Sequence, residues 1–359
     1  MIRVGFYTIA LNEGQFVARW HESVKDGDYL LIADTGSTDN TVETAKDLGI
    51  NVIQINVRPW RFDVARNASL AALPLDLDFC VALDMDEIIL PGWREELQRA
   101  KELGWTRPRY KYTWSWEKDR KPGLQYGGDK IHARTGYMWK HPVHEVLTPY
   151  PPETEVQGWT KHLEIHHHPD SIKTRSQYLA LLKMAVDEDP RNDRNAFYYA
   201  RELYYHAQFA EAAAEFQRHL ALPNALWQPE RAASYRYLSR CEPDEAEKWL
   251  KLAVSTAPDL REPYVDLAKH YYEQSRWLEC LAMCQEALKI TDKPLVYLCE
   301  ADAWGYLPHD LAAIAAHNLE MTQEALEYGR EALRLKPDDK RLVINLKFYE
   351  RATSASDCS

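Results

Sequence analysis

The sequence predicts an α/β domain with a mostly parallel sheet, followed by an all-α solenoid of helical repeats. Segments of strand and helix character alternate over residues 3–83. Two aspartates, Asp84 and Asp86, directly follow the apolar run that ends this alternation. In the second half of the chain, small residues recur every 34 residues. These three observations place a ligand-binding domain before a repeat domain.

The first 83 residues read as four strands separated by three helices. Phe16, Val17 and Trp20 lie at helical spacing, and Gly36 permits a tight turn after the second strand. The predicted strands span 3–9, 29–33, 51–57 and 79–83, and the predicted helices end at 24, 48 and 73. Such alternation is typical of a parallel sheet with helices on both faces.

The acidic triplet Asp84-Met85-Asp86 stands at the carboxyl edge of the fourth predicted strand. Open α/β sheets bind their ligands at this edge. Because side chains alternate along a strand, we expect Asp84 and Asp86 to point the same way. Carboxylate oxygens at that spacing suit Mg²⁺ or Mn²⁺ holding a diphosphate. A plain acidic surface loop is the alternative, and the triplet alone does not exclude it.

Four segments, in order, resemble the family 2 glycosyltransferases of the GT-A fold. They are Leu11-Asn12-Glu13, the turn 33–41, Ala65-Arg66-Asn67 and the segment 82–87. The resemblance covers residues 1–170. It implies a nucleotide-sugar donor, a divalent cation, and transfer of a hexose or pentose to an acceptor hydroxyl or thiol. A nucleotide-binding dehydrogenase fits less well, because no Gly-x-Gly-x-x-Gly follows the first strand.

The resemblance also implies the residues of a donor site. Asp34 would contact the nucleotide base, Arg66 the ribose or diphosphate, and Asp84 the ribose or metal. Structural alternatives exist, since Asp34 could accept backbone N–H bonds in its turn and Arg66 could pair with Asp63 or Asp84. Asn67 could be a helix-surface residue. The implied donor site is Thr8, Asn12, Glu13, Asp34, Arg66 and Asp84, with Asp86 on the metal.

The tract 105–140 is rich in aromatic and basic residues. Alternation over 109–116 predicts strands, arranged as a hairpin beside the donor pocket. Aromatic faces stack on sugar rings or bases, and positive charge can meet phosphate. We therefore predict that Trp114 and Trp116, with His144, bind the acceptor. An ordinary half-buried hairpin is the alternative.

In the similar transferases, a carboxylate acts as base and a late histidine completes the metal shell. The acceptor hydroxyl must lose its proton while a cation neutralises the departing diphosphate. Glu145 is the predicted base, with a structural ion pair as its alternative. Because side chains alternate, either His167 alone or His166 with His168 faces inward, and we choose His167.

Ala212, Ala246 and Cys280 are 34 residues apart, the period of tetratricopeptide repeats. The next repeat, around Ala325, is offset by 45 residues, which predicts an insertion that contains 305–309. The array resembles those fused behind transferase domains in a group of bacterial and phage-type proteins. We predict domains at 1–170 and 171–351, a joining helix within 171–189, and a flexible tail at 352–359.

Composition narrows the class of protein further. The length of 359 residues suffices for two cores, and the net charge of −11 argues against broad nucleic-acid binding. No apolar stretch approaches a membrane span, and the start reads as a strand rather than a signal peptide. Six cysteines without metal-finger spacing fit a reducing cytoplasm. We expect a cytoplasmic protein with no membrane partner, whose repeats offer a surface for homo-oligomers.

By its resemblance to family 2, the chain would be a metal-dependent, inverting glycosyltransferase that uses Mn²⁺ or Mg²⁺ and a UDP-sugar. Its acceptor would be a peptide or protein side chain, a saccharide, or a hydroxymethylated DNA base, and the sequence does not choose among these. The rival is a non-catalytic repeat scaffold with a degenerate sugar-nucleotide sensor. Asp34, Arg66, Asp84 and Asp86 together favour the enzyme.

Overall fold

The computed structural model describes residues 2–117, 120–151, 155–169 and 177–356. The chain divides into two compact units, Met1–Glu188 and Asp189–Ser359, and each is described by itself. The predicted domain limit at 170/171 stays a prediction, because residues 170–176 lie outside the described ones. The helix predicted within 171–189 is present as 178–188 and is grouped with the first unit.

The first unit alternates strands and helices as predicted. Its helices are α1 (Gly14–Val24), α2 (Thr41–Asp47), α3 (Phe62–Ala71), α4 (Trp93–Glu102) and α5 (Tyr178–Glu188). Its strands are β1 (Val4–Ala10), β2 (Tyr29–Asp34), β3 (Asn51–Gln54), β4 (Phe79–Ala82), β5 (Glu87–Ile89), β6 (Arg107–Thr113), β7 (Gln125–Gly128), β8 (Ile131–Ala133), β9 (Tyr137–Lys140), β10 (Val146–Pro149) and β11 (Gln157–His167).

A five-stranded sheet of order β3-β2-β1-β4-β8 forms the centre of this unit. Strands β1 to β4 pair in parallel, and β8 is antiparallel to β4. The mostly parallel sheet predicted from the sequence is thereby confirmed. The carboxyl ends of β1, β2 and β4 lie at one edge, where ligand sites form in such sheets.

Both faces of the central sheet are covered, because alternate residues of β1 enter different cores. Val4 and Phe6 belong to a cluster with Trp20 of α1, whereas Tyr7 belongs to another with Leu70 of α3. Burying one such large apolar side chain contributes about 1.5–3 kcal/mol. The two cores fix the sheet from both sides and leave its carboxyl edge to carry polar groups.

A second sheet, of order β5-β11-β6-β7, positions the histidine tract. β6 and β7 are antiparallel, as the hairpin prediction requires. β11 runs parallel to β6 and antiparallel to β5, and its last residue, His167, lies opposite Glu87. This pairing brings the end of β11 beside the acidic triplet.

The acidic triplet lies in a turn rather than in a strand. β4 ends at Ala82, and the N–H of Glu87 donates to the carbonyl of Asp84 at 2.9 Å. The expectation that Asp84 and Asp86 share one face was therefore wrong, because alternation applies only within an extended strand. The two carboxylates instead reach different partners.

The second unit is all helical, as predicted, apart from its connections. Its helices are α6 (Asp193–Tyr205), α7 (Phe209–Ala221), α8 (Gln228–Cys241), α9 (Ala246–Thr256), α10 (Arg261–Glu273), α11 (Trp277–Lys289), α12 (Ala301–Trp304), α13 (Leu307–Asn318), α14 (Thr322–Leu335) and α15 (Lys340–Ser356). The residues of the 34-residue spacing, Ala212, Ala246 and Cys280, are buried on α7, α9 and α11. Small side chains there let paired helices approach closely.

Two boundaries of the second unit differ from the sequence prediction. The insertion occupies 290–306, between α11 and α13, and residues 307–309 already belong to α13. Pro308 stands in the first turn of α13, where its missing N–H leaves no hydrogen bond unmade. Residues 352–356, predicted as tail, continue α15, and 357–359 lie outside the described residues. No helix of the described part of the chain has the length and apolar character needed to cross a bilayer.

Candidate active site

The carboxylate of Asp84 lies between two cationic side chains. Its Oδ1 accepts from Arg66 Nη2 at 2.8 Å, and its Oδ2 accepts from Lys130 Nζ at 2.8 Å. Burial alone would raise the pKa of Asp84, but the two cations outweigh burial and hold its pKa well below the ordinary range. Asp84 is therefore a carboxylate, and it orients Arg66 and Lys130 as much as they orient it.

Glu87 stabilises the turn of the acidic triplet through hydrogen bonds that both of its carboxylate oxygens accept. Its Oε1 accepts from Tyr112 Oη at 2.6 Å and from Lys130 Nζ at 2.8 Å, and its Oε2 accepts from the N–H of Asp84 at 2.9 Å. The side chain is only 1 % exposed, and burial raises its pKa. With both oxygens engaged, Glu87 is built into the scaffold of the acidic turn.

Asn67, the residue after Arg66 on α3, fixes this part of the helix against β9. Asn67 exchanges two hydrogen bonds with the backbone of Trp139, at 2.8 and 2.9 Å, so it is not a plain helix-surface residue. The guanidinium of Arg66 lies 5.1 Å from the Trp139 ring centroid and also pairs with Glu145. Arg66 Nη1 is buried and has no hydrogen-bond partner among the described residues. A buried cationic donor without an acceptor is costly, and a ligand oxygen could supply that acceptor.

Glu145 forms the structural ion pair that stood as the alternative to catalysis. Its side chain is 12 % exposed and that of Arg66 is 7 % exposed, so the pair is shielded from water. The assignment of Glu145 as base stays a prediction.

His167 faces Asp86. The distance from His167 Nε2 to Asp86 Oδ2 is 3.4 Å, and His167 Nδ1 lies 3.0 Å from the carbonyl oxygen of Trp114. Because that carbonyl can only accept, Nδ1 carries a proton, and the lone pair of Nε2 and the Asp86 carboxylate face a shared position for a second proton or a cation. Burial lowers the pKa of His167, but Asp86 and the Trp114 carbonyl outweigh burial and leave the pKa raised.

The neighbouring histidines are engaged elsewhere. His166 Nε2 lies 2.9 Å from Glu164 Oε1, and the ring of His168 stacks on Trp116 with centroids 5.4 Å apart. A carboxylate and an imidazole nitrogen suit a divalent ion such as Mn²⁺, with other coordination positions left open. The described residues contain no group of three or more His, Cys, Asp or Glu that could hold a metal by itself. A cation at Asp86 and His167 would therefore need further ligands from its substrate or from water.

Trp114 and Trp116 support this histidine. The ring of Trp114 stacks on His167 with centroids 4.1 Å apart, and Trp116 Nε1 donates to the His167 carbonyl at 3.0 Å. The predicted acceptor residue His144 lies farther along the chain, with its ring 5.6 Å from that of Tyr178. Acceptor binding by these three residues stays a prediction.

The turns after β1 and β2 carry the remaining predicted donor residues. Asp34 is fully buried and accepts from the N–H groups of Gly36 and Ser37 at 3.0 Å, with Gly36 at φ +113°. Asn12 Oδ1 accepts from the N–H of Thr38 at 2.8 Å, which ties the two turns together. Asp34 thus fills the structural role given as its alternative. A nucleotide contact at this residue stays a prediction.

Thr8 and Glu13 are also buried. Thr8 lies within β1, and its hydroxyl donates to the carbonyl of Ile9 at 3.2 Å. The N–H of Glu13 donates to Thr41 Oγ1 at 2.8 Å. Lys130 is the residue that motif reasoning missed, because its approach to Asp84 depends on the pairing of β4 with β8.

Comparison with known proteins finds similarity to glycosyltransferases and to repeat proteins. The model of glycosyl transferase family 2 matches residues 6–139. An uncharacterized glycosyltransferase of Rickettsia prowazekii is 31% identical over 99 residues, which is 27% of this chain and 32% of the relative. A TPR repeat-containing protein of Synechococcus elongatus is 34% identical over 113 residues, 30% of this chain and 27% of that protein. The chain thus spans about a third or less of the curated relatives' length.

Solved structures resemble different parts of the chain. MamA has a TM-score of 0.36 at 14% identity and covers 44% of this chain and 86% of its own. Glucosyl-3-phosphoglycerate synthase from Mycobacterium tuberculosis, in complex with Mn²⁺, UDP-glucose and phosphoglyceric acid, has a TM-score of 0.27 at 26% identity, covering 31% of this chain and 44% of its own. The chain therefore carries a region that matches glycosyl transferase family 2, over residues 6–139 of the α/β unit, and helical pairs with the 34-residue spacing of tetratricopeptide repeats follow it.

Proposed function

We propose that the chain is a metal-dependent, inverting glycosyltransferase that takes a sugar from a UDP-sugar. The observation that carries this proposal is the approach of His167 Nε2 to Asp86 Oδ2, 3.4 Å apart, beside the turn at the carboxyl end of β4. These two residues would hold Mn²⁺ or Mg²⁺. When bound, the ion supplies positive charge against the leaving diphosphate.

The donor would be held by the buried groups around this turn. Arg66 Nη1, which lacks an acceptor among the described residues, would donate to a phosphate or ribose oxygen. Asp34 would contact the base, and Asn12 and Glu13 would border it. The fixed network of Arg66, Asp84 and Lys130 means that these groups need little reorganisation when the donor arrives.

Glu145 would take the proton of the acceptor. As the acceptor oxygen or sulfur attacks the anomeric carbon, the bond from that carbon to the diphosphate oxygen breaks, and the proton passes to Glu145. Attack and departure occur on opposite faces of the sugar, so the anomeric configuration inverts. Trp114 and Trp116 would offer ring faces to the acceptor, whether peptide, saccharide or modified base.

The cellular setting belongs to the same proposal. The described cysteines are free thiols, and Cys80, Cys280, Cys284 and Cys299 are buried. Free buried thiols suit a reducing compartment, and we place the protein in the cytoplasm. The helical array would bring acceptor or partner proteins, or a second copy of the chain, to the transferase domain.

The metal assignment is tested by calorimetry with UDP, with and without Mn²⁺. In Asp86→Ala, the factor by which Mn²⁺ raises the affinity for UDP should fall at least tenfold, because one of the two proposed protein ligands is gone. His166→Ala is the matched control, since His166 pairs with Glu164, and it should keep the gain. Equal Mn²⁺-dependent binding in wild type and Asp86→Ala would remove the metal site. A chain that binds UDP-sugar but does not hydrolyse it even slowly would favour the non-catalytic sugar-nucleotide sensor over the enzyme.

A further inference from the structure

The insertion between α11 and α13 lies across three successive helix pairs. We call residues 294–304 the clasp segment; it ends in the short helix α12. The first helices of the three preceding pairs are α6, α8 and α10. The clasp segment contacts all three, although in a simple solenoid a repeat contacts only its neighbours.

Tyr297 is the aromatic anchor of the clasp segment. Its ring stacks on Tyr198 of α6, with centroids 6.0 Å apart and planes 10° apart, and it contacts Trp227 at 5.6 Å. Its hydroxyl donates to Glu230 Oε1 of α8 at 2.6 Å. Glu230 is only 3 % exposed, so the site beneath Tyr297 is a buried carboxylate flanked by aromatic rings.

Glu300 is the charged anchor. Its Oε1 accepts from Arg236 Nη2 of α8 at 2.8 Å, and its N–H donates to Glu262 Oε1 of α10 at 2.9 Å. Arg236 is 5 % exposed and Glu262 is 2 % exposed. Buried charges need partners, and the clasp segment supplies part of what these two require.

The two sides of this contact are unequal. The groups on α8 and α10 are buried, whereas within the clasp segment only Cys299 and Ala303 are buried, and the side chain of Glu300 is 50 % exposed. Ala303 of α12 packs in one core cluster with Val265 of α10 and Ala287 of α11, whereas residues 294–298 lie on the helices partly exposed. The helices therefore present a formed recognition surface, which the clasp segment covers.

The surface also holds a cation, Arg201, beside the aromatic site. The Arg201 guanidinium lies 4.5 Å from the Tyr198 ring centroid and 5.6 Å from that of Phe197. Arg201 Nε is buried and has no hydrogen-bond partner among the described residues, and the carboxylate of Glu230 is near enough to interact with this cation electrostatically. The preference for a carboxylate on the ligand is carried by Arg236, which donates to Glu300.

We propose that α6, α8 and α10 form a binding surface for an extended, acidic protein segment with an aromatic residue and, three residues later, a carboxylate. The clasp segment is its built-in occupant, with Tyr297 and Glu300 at these two positions. A partner segment of this kind competes with the clasp segment for the surface. This inference concerns binding alone and does not depend on sugar transfer.

The probe is a fluorescein-labelled peptide of residues 292–302 with Cys299→Ser, followed by fluorescence anisotropy with the full chain. Apparent affinity scales with the fraction of protein in which the surface is open. The double variant Tyr297→Ala with Glu300→Ala releases the clasp segment and should bind the peptide at least tenfold more tightly than wild type. Leu295→Ala changes a residue of the same segment that is 45% exposed, and it should bind like wild type.

Two further measurements serve as controls, one with a changed peptide and one with a milder variant of the chain. A peptide that itself lacks the tyrosine and glutamate should bind the released chain at least tenfold more weakly. If the double variant fails to fold, judged by circular dichroism, Glu300→Gln replaces it and should still tighten binding at least threefold. Equal affinity of wild type and released chain, or equal binding of the two peptides, would overturn the proposal.

Discussion

Glu145 pairs with Arg66 and is the proposed base, and experiment can separate the two, because loss of the ion pair should lower stability whereas loss of a base should lower the rate. Glu145→Gln should lower the single-turnover rate at saturating donor by about 10²–10⁴, the usual effect of losing a general base. UDP affinity should stay near that of wild type. Rate and melting temperature are measured on the same preparation.

Glu155→Gln is the matched control for this change. Glu155 pairs with Arg107 at 2.9 Å, with side chains 15 % and 7 % exposed, so this ion pair has burial close to that of Arg66 and Glu145. Both variants should lose comparable stability, but only Glu145→Gln should lose turnover. A Glu145→Gln protein with a lower melting temperature and normal rate would leave the ion pair as its only role.

Single residues were predictable where their chemistry is local. Alternation in the strand left either His167 alone or His166 with His168, and the structure brings His167 to Asp86, where metal binding stays a prediction. Alternation misled for Asp84 and Asp86 because the strand ends at Ala82. Lys130 was out of reach, since its meeting with Asp84 depends on strand pairing over a separation of 46 residues.

At the scale of elements, the pairing of α7 with α8 buries His219. Protonation of this histidine destabilises the folded state, because burial disfavours its charged form. Burial, aided by Arg231 and Arg218, lowers the pKa of His219 from 6.5 to about 4. Between those values the unfolded chain binds the extra proton, so stability falls as pH drops through this window and no further below it. The loss is about 3 kcal/mol at most.

His219→Gln removes this titration. The amide can still bond to Ser234 Oγ, which lies 2.8 Å from His219 Nδ1. Urea midpoints at pH 7 and pH 4 should therefore differ less in the variant than in wild type. His206→Gln, at an exposed position, should keep the wild-type difference. Identical pH dependence in wild type and His219→Gln would contradict the assignment.

The type and order of elements were predictable because periodicity reflects burial. The 34-residue spacing identified the paired helices, whose small residues are buried against one another. Element ends were harder, since a helix or strand stops where its backbone hydrogen bonds find other partners. The exact extent of the insertion was also beyond the sequence, because its anchors, Tyr297 and Glu300, contact helices that lie far away in the chain.

At the scale of the whole molecule, two separate sets of cores predict two unfolding transitions in urea. Phe216 is fully buried and stacks on Tyr237, with centroids 5.1 Å apart. Phe216→Ala should therefore destabilise the helical transition by about 3–5 kcal/mol. Mn²⁺ with UDP should stabilise the other transition, because a ligand stabilises the unit that binds it.

Phe209→Ala provides the control, since Phe209 is 46% exposed. It should shift the helical transition by less than about 1 kcal/mol. Circular dichroism at 222 nm follows the helices, and calorimetry with and without UDP assigns the other transition. One joint transition that shifts in both experiments would refute the division into two energetic units.

The clasp segment also changes how the array can come apart. A plain stack of repeats frays from its ends, since each pair is held only by the next. Here Tyr297 and Glu300 join α6 and α10 through one covalent segment, so the first pair cannot open without disturbing the third. Contacts over about a hundred residues of chain raise contact order, which slows folding. Displacing the segment would thus lower the cooperativity of unfolding, and individual helix pairs could then open independently of one another.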